Sequence, residues 1–442
     1  MAEQMKPSGI DWIKDIPSSW EINKVKYLAT EPGTLFLDGD WIESDVIEES
    51  GIRYLTTGNV GAGFYKEQGS GYISEKTFSE LHCLNVYPGD LMISRLNEPI
   101  GRSCIIPDTE SRYVVAVDNV ILRPNANYNK KFIMYGMNAD GYAEHANMIA
   151  RGATMSRISR SQLGQFWLAF PNIEEQQAIA DFLDKECTQI DSIAADLERQ
   201  IALLQQYKKS LITETVTKGL DKSVPMKDTG VEWIGQIPEH WDVEPIKYRV
   251  TFHNGDRGEN YPTKSELQSE GIPFINAGHL EGDGLNMANM DYISEEKHRI
   301  MGGVKLRSGD ILYCLRGSVG KNAIVDMNQG TVASSLVAIR SVRISAEYLY
   351  YCLNSHIEEV QRYWWDNGTA QPNLSADNLG KYKICIPPVE EQKAIVKYLN
   401  NICSQIDNLI IGKKKQLSTI QQHKKSLIYE YVTGKKRVKE VR

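Results

Sequence analysis

Two stretches of the chain carry an apolar stripe with a seven-residue period. In the first, Leu183, Ile190, Leu197, Leu204 and Leu211 recur between Glu174 and Thr217, a span without Gly or Pro, and Ile193, Ile201 and Tyr207 widen the stripe. In the second, Leu399, Ile406, Lys413, Ile420 and Leu427 repeat the spacing, widened by Ile402, Leu409, Ile410 and Leu417, with Gly412 as a weak point and Lys413 as a break. Pro171 and Pro387-Pro388 stand before the stripes, and Glu174-Glu175 and Glu390-Glu391 occupy the first turns, where a helix dipole favours acids. The pattern predicts two long helices, each about 66 Å at about 1.5 Å per residue. The remaining sequence alternates short β-rich runs after turn signals, such as Gly89-Asp-Leu-Met-Ile-Ser and Gly309-Asp-Ile-Leu-Tyr-Cys, with a helical stretch from Glu347 to Trp365. It reads as mixed α/β (α+β).

The chain is an internal two-fold repeat. Trp12, Pro17, Trp20 and Tyr27 return as Trp233, Pro238, Trp241 and Tyr248, and Tyr72-Ile-Ser-Glu, Gly89-Asp-Leu and Glu174-Glu-Gln return as Tyr292-Ile-Ser-Glu, Gly309-Asp-Ile and Glu390-Glu-Gln. Lys208-Lys-Ser-Leu-Ile meets Lys424-Lys-Ser-Leu-Ile. Insertions and deletions fall in the fronts of the halves and none in the backs, so the fronts read as variable heads and the backs as a scaffold held in register by packing. Four segments result: a head at 1–170, a central helix at 171–221, a second head at 222–386, and a distal helix with a basic tail at 387–442. The repeated Ile-Pro-x-x-Trp reads as a structural staple, Pro fixing the turn and Trp packing beneath it.

An exposed apolar stripe needs a partner helix, and the chain supplies one of matching length. Residues 171–221 hold 5 Lys/Arg against 10 Asp/Glu, whereas 387–442 hold 12 against 5, so opposite charge favours pairing the two unlike helices. Because each head immediately precedes its helix, a two-fold related pair is antiparallel, with the heads at opposite ends and Ile190 level with Ile420. A parallel pair would bring Ile190 level with Ile406.

The net charge of −7 and 41% hydrophobic content are those of a globular protein, and the length predicts several domains. No apolar run spans a bilayer and the start lacks a signal-peptide core, which predicts a cytoplasmic protein without membrane contact. Seven scattered cysteines, never in C-x-x-C, predict neither a disulfide framework nor a zinc site. Catalytic motifs are missing. Gly317-Ser-Val-Gly320-Lys321 is too short for a phosphate loop, and there is no G-x-G-x-x-G after a strand, no H-E-x-x-H, no G-x-S-x-G and no Asn-Pro-Pro-aromatic tetrapeptide. Asp108 and Glu110 are close enough for a nuclease, but 57 acidic residues make such pairs by chance.

The heads do carry polar, glycine-punctuated loops in corresponding places. Arg95, Asn97 and Arg102 follow a predicted strand in the first half, as Arg316, Ser318 and Lys321 do in the second; Thr154, Ser156 and Arg157, and Thr369, Gln371 and Asn373, precede the strand that enters each helix. Arg offers a bidentate fork to guanine and Asn or Gln one to adenine, so these residue types can read base edges. The heads hold 16 basic against 21 acidic and 17 against 21 residues, so either the basic groups are focused on one face or a partner supplies phosphate contacts.

Taken in order, the two Ile-Pro-x-x-Trp heads, Gly-Asp-Ile-Leu followed by Arg316-Gly-Ser-Val-Gly-Lys321, Gly368-Thr-Ala-Gln-Pro-Asn373, Ile-Pro-Pro-Val-Glu-Glu-Gln and a long helix ending Lys-Lys-Ser-Leu-Ile resemble the specificity subunit of type I restriction-modification enzymes, from about residue 9 to 434. The resemblance implies a non-catalytic chain whose heads are target-recognition domains, each binding one half of a bipartite site in double-stranded DNA, joined by antiparallel spacer helices. It implies two modification (methyltransferase) subunits as partners and, through them, restriction subunits. No cofactor is expected in this chain; S-adenosylmethionine, ATP and magnesium would belong to those partners. The first half departs from the motif, with Arg95-Leu-Asn-Glu-Pro-Ile-Gly in place of Arg-Gly-Ser-Val-Gly and Met155-Ser156-Arg157 in place of Gln-Pro-Asn. Two other classes stand beside this one: a self-contained nuclease or methyltransferase, and a two-headed coiled-coil adaptor for protein or glycan partners.

Overall fold

The structure is a computed structural model that describes residues 4–69, 71–96, 99–150, 156–282, 284–365 and 373–438. The chain divides into two compact units, Met1–Leu197 with Lys415–Arg442, and Glu198–Lys414, so each unit takes one head and part of both long helices.

The heads share one plan. In the first, a four-stranded antiparallel sheet runs in the order Leu35–Asp38, Asn119–Arg123, Leu91–Ser94, Ser103–Ile105; in the second the order is Val250–Asn254, Leu336–Ser341, Ile311–Cys314, Asn322–Ile324. A three-stranded sheet accompanies each, Tyr72–Ile73, Ile52–Leu55 and Tyr113–Val115 in one and Asp291–Ile293, Ile272–Ile275 and Thr331–Val332 in the other. Helix pairs Lys130–Met137 and Asp140–Ile149, and Ala346–Leu353 and His356–Trp365, follow the sheets. A last strand, Trp167–Phe170 or Lys383–Ile386, returns to pair with Glu21–Lys24 or Asp242–Pro245 and delivers the chain into its long helix.

Three of the repeated motifs explain how this plan is held. In Gly-Asp-Leu/Ile the glycine takes a left-handed turn, φ +79° at Gly89 and +87° at Gly309, and the aspartate is buried. Asp90 accepts two hydrogen bonds from Arg123, at 2.9 and 2.6 Å, and Asp310 two from Arg340, at 2.8 and 2.7 Å, a bidentate clamp between neighbouring strands. In Glu-Glu-Gln the glutamine is the working residue. Buried Gln176 accepts from Asn129 N–H at 2.8 Å and donates to Pro171 O at 2.9 Å, while Gln392 accepts from Ser345 N–H at 3.0 Å and donates to Pro387 O at 2.9 Å. Each long helix is thereby fastened to the helical layer of its own head. In Ile-Pro-x-x-Trp the tryptophan is fully buried, as expected, and the turn receives the end of a long helix. Gly219, φ +70°, lies on Trp241 after the central helix, and Gly434, φ +70°, on Pro17 and Trp20 after the distal helix. A Cβ at Gly434 would stand 2.4 Å from Pro17 Cδ. Lys435 then donates to Ile13 O at 3.0 Å.

The long helices span Ile173–Lys218 and Val389–Val432. Within each unit their segments are antiparallel. In the first, Phe182 stacks near Tyr431, ring centroids 4.6 Å apart, while Asp191 pairs with Lys424 at 2.6 Å; in the second, Lys413 donates to Gln200 and Lys208 pairs with Asp407 at 2.7 Å. The two ion pairs are the same pair in the two repeats, with donor and acceptor exchanged between helices. Ile420 packs against the cluster holding Ile190, but the Asp191 and Lys424 contact moves the register about one turn from Ile190 opposite Ile420. Leu183, Ile190, Leu197, Leu399, Ile406 and Leu427 are buried; Leu204, Leu211 and Ile420 are half-buried. Ile193, Tyr207 and Leu409, read as widening the stripe, are exposed instead. Ile193 and Leu409 are equivalent positions, so the seam is narrower than the sequence pattern on the same face of both repeats. Near the end of the central helix, Ile212 and Val216 take the buried positions. All seven cysteines are buried thiols, and no helix among the described residues is long and apolar enough to cross a membrane.

Candidate DNA interface

The two groups of loops that the sequence set apart meet in space. In the second head, buried Leu315 ends the Ile311–Cys314 strand, its N–H donating to Ser335 O at 2.8 Å and its carbonyl accepting from Leu374 N–H at 2.9 Å. Arg316, the next residue, faces solvent and forms a β-bridge with Asn373. A tight turn follows. Gly317 has φ +75°, Gly320 N–H donates to Cys314 O at 3.1 Å, and Lys321 N–H donates to Ser318 O at 3.2 Å. Arg316, Ser318, Lys321 and Asn373 are all exposed, and Arg257 reaches Ser334 O beside them at 3.4 Å. Arg316 and Lys321 thus flank the turn, and Arg257 reaches the segment that pairs with the strand before it, a local group of cations in a head with more acids than bases.

The first head repeats this backbone with other side chains. Leu96 forms the corresponding β-bridge, with Arg157, and Arg95 stands where Leu315 stands, its N–H donating to Asp118 O at 2.9 Å and its carbonyl accepting from Ile158 N–H at 3.1 Å. Arg95 therefore matches Leu315 and not Arg316. Arg95 is 6% exposed and its side chain points inward. It lies 3.3 Å from Asp38 and 3.9 Å from Asp118, burial pulling its pKa below the usual value while the two acids raise it. Arg102 is 9% exposed and spends its guanidinium on the carbonyls of Val60 (2.7 Å), Leu96 (2.9 Å), Pro99 (3.2 Å) and Thr57 (2.9 Å). Both were expected to offer forks to bases; both are internal braces of the loop. Using Arg102 on a base would break these four bonds and leave buried Val60 O without its donor, at a cost of about 1 kcal/mol or more.

The outward arginine of the first head is Arg157, whose side chain is 49% exposed and is held by Asp118 at 2.8 Å. Arg160 is held by Asp38 at 3.1 Å and donates to Phe36 O at 2.9 Å. An alternating chain results, Arg160, Asp38, Arg95, Asp118, Arg157, in which the buried arginine fixes two acids and the acids fix two outer arginines. The second head has Asn254, Leu315 and Ser335 in the three central places, as the strand register shows. Ser156 is half-buried. Asn97, Thr154, Thr369 and Gln371 lie outside the described residues. The sequence reading missed Arg160 and Arg257; the run Arg-Ile-Ser-Arg at 157–160 was the available signal for the first, and nothing local marked the second. Asp108 and Glu110 are exposed loop acids.

The type I restriction modification DNA specificity domain matches this chain twice, over residues 21–202 and 239–419. The chain belongs to that family. It is a type I restriction-modification specificity subunit, a non-catalytic component. Among its relatives, a putative type I restriction enzyme MjaX specificity subunit of Methanocaldococcus jannaschii is 27% identical, with 84% of this chain and 83% of that one aligned. The EcoBI specificity subunit of Escherichia coli is 24% identical over 70% of this chain and 66% of its own length. A solved chain described under the structural basis of complex assembly and conformational transition of the type I R-M system has a TM-score of 0.68 at 16% identity, covering 94% of this chain and 98% of that one, and so shares the fold.

Proposed function

We propose that this specificity subunit reads a bipartite sequence in double-stranded DNA, one half-site per head, and docks two modification (methyltransferase) subunits and, through them, restriction subunits. The heads, 1–170 and 222–386, are the recognition domains, and the long helices set the distance between half-sites. S-adenosylmethionine, ATP and magnesium serve the partner subunits in the cytoplasm. The observation that carries this reading is the repeated β-bridge, Leu96 with Arg157 and Arg316 with Asn373, which presents different side chains on the same backbone. Two readers of one design with different contacts are what an asymmetric bipartite target needs. In the second head, Arg316 and Asn373 supply base-edge groups, with Lys321 and Arg257 on phosphates; in the first, Arg157 and Arg160 are pre-aimed by their acids, which lowers the ordering cost of contact. The test is methylome sequencing of cells expressing the chain with its partner subunits. A single bipartite methylated motif supports the reading. Failure to bind DNA at any salt with methyltransferase present would favour the two-headed adaptor.

A further inference from the structure

The turn between Arg316 and Lys321 is seated on a helix of its own head, and the first head has the same seat. Gly320 N–H donates to Cys314 O at 3.1 Å as Gly101 N–H does to Ser94 O at 2.9 Å, and both glycines are left-handed, φ +94° and +79°. Val319 and Ile100, just before them, tuck into the core clusters of the two heads. The seat is made by the third and seventh residues of the helices His356–Trp365 and Asp140–Ile149. In the first head these are Tyr142 and Ala146, and a Cβ on Gly101 would stand 3.0 Å from Tyr142 Cε1 and 3.7 Å from Ala146 Cβ. In the second they are Glu358 and Arg362, and a Cβ on Gly320 would stand 2.7 Å from Arg362 Nε and 3.1 Å from its Cζ. Buried Glu358 holds that guanidinium, accepting from Arg362 Nε at 3.1 Å, and also accepts from the hydroxyl of fully buried Tyr313, where the first head has Ile93.

We propose that Arg362, held by Glu358 and Tyr313, is a positioning residue for recognition: it fixes the turn that places Arg316 and Lys321, and so sets discrimination at the second half-site from beneath the interface, without touching DNA. The inference rests on the functional reading above. The comparison between heads carries it. Tyr142, Ala146 and Ile93 are all buried and apolar in their contacts with the turn, so the fold itself needs no ion pair there, and an ion pair taken from water costs more than such a seat. What the charged seat adds is direction. A guanidinium is planar, and a carboxylate bound to its Nε fixes the orientation of that plane. The need also differs between heads. In the first, Arg102 braces the turn from within, through the carbonyls of Thr57, Val60, Leu96 and Pro99; in the second, its counterpart Lys321 is exposed, and the arginine that braces the turn comes from the helix below.

The test uses the chain assembled with its modification subunits and duplexes carrying the methylated motif or single base-pair changes in either half-site. Glu358→Gln with Arg362→Met removes both charges together, so no buried charge is stranded. A single base-pair change ordinarily weakens binding by roughly 5- to 150-fold; in the double variant that ratio should fall to about threefold or less at the second half-site and stay whole at the first. The salt dependence of binding should keep its slope. Amide exchange should quicken at Gly320 and Lys321 and stay unchanged in the Leu336–Ser341 strand, which reports that the head is folded. Arg362→Lys, which keeps the charge but not the plane, should behave like the double variant. Full recovery with Lys, or equal weakening on every sequence with a salt slope smaller by about one, would make Arg362 a phosphate contact and overturn the proposal. An unchanged ratio at the second half-site would overturn it too. An unsubstituted complex that prefers no sequence at either half-site would overturn the functional reading instead.

Discussion

The buried charge in the first head can be tested by giving it the solution that the second head uses. Arg95→Leu removes a guanidinium that lies 3.3 Å from Asp38 and 3.9 Å from Asp118. At an effective dielectric constant near 20 the two attractions amount to roughly 5 and 4 kcal/mol before desolvation, and desolvation of the ions offsets several kcal/mol. Removing one member of such a buried set costs about 3 to 5 kcal/mol, because the remaining charges are left in place. Asp38 and Asp118 keep about a third of their side-chain surface, at 32% and 31%, and retain Arg160 and Arg157, so the lower end, about 3 kcal/mol, is expected. The triple change Asp38→Asn, Arg95→Leu, Asp118→Ser installs the residues of the second head and should recover most of that loss, to within about 1 kcal/mol of the parent. Urea unfolding of the full chain, followed by hydrogen exchange in the Leu91–Ser94 and Asn119–Arg123 strands, separates this transition from that of the other unit. The argument fails if Arg95→Leu is as stable as the parent, or if the triple variant is no better than the single. The triple variant also unties Arg157 and Arg160, so methylation at the first half-site should weaken even where stability returns.

Other consequences are as direct. Arg316→Ala should cost about 1 to 3 kcal/mol and relax one half-site only, measured by binding to site variants; an equal loss on every sequence would make Arg316 a phosphate contact. Cysteines at 200 and 413, with Cys187 and Cys403 replaced, should cross-link readily, whereas cysteines at 190 and 406 should not; the reverse result would contradict antiparallel pairing. Lys297, at 2.8 Å, and then Thr263 hold the Glu266 carboxylate down to about 2, so its stabilising effect is full above the ordinary carboxylate range and is lost as pH falls through 2. NMR titration should find that low midpoint, and Lys297→Met should raise it. Seven residues inserted after Leu197 and again after Lys413 add about 10 Å at 1.5 Å per residue, so methylation mapping should show the nonspecific spacer longer by up to roughly 3 base pairs with both half-sites unchanged.

Much of the architecture was legible from sequence because it is written in periods and in repetition. A seven-residue stripe without Pro, broken at most by the single Gly412, is best satisfied by a long helix, two such stripes of opposite charge imply a pair, and the return of Trp12, Pro17 and Trp20 as Trp233, Pro238 and Trp241 makes the pair two-fold. The places of the loops were legible too, because they flank recurring strands. Which side chains those loops present was decided only by the tertiary structure. Matching Arg95 to Arg316 is natural by eye, but the strand register sets Ser94 against Asn119 as Cys314 is set against Leu336, and one residue of slip turns a solvent-facing fork into a buried brace. The repeated Glu-Glu-Gln marked Gln176 and Gln392 only as members of a motif, and their role depends on backbone groups 47 positions away in sequence. The narrowing of the seam at Ile193 and Leu409 has the same origin. Local pattern says that a residue can be buried, and only the partner surface, folded against it from far along the chain, says whether it is.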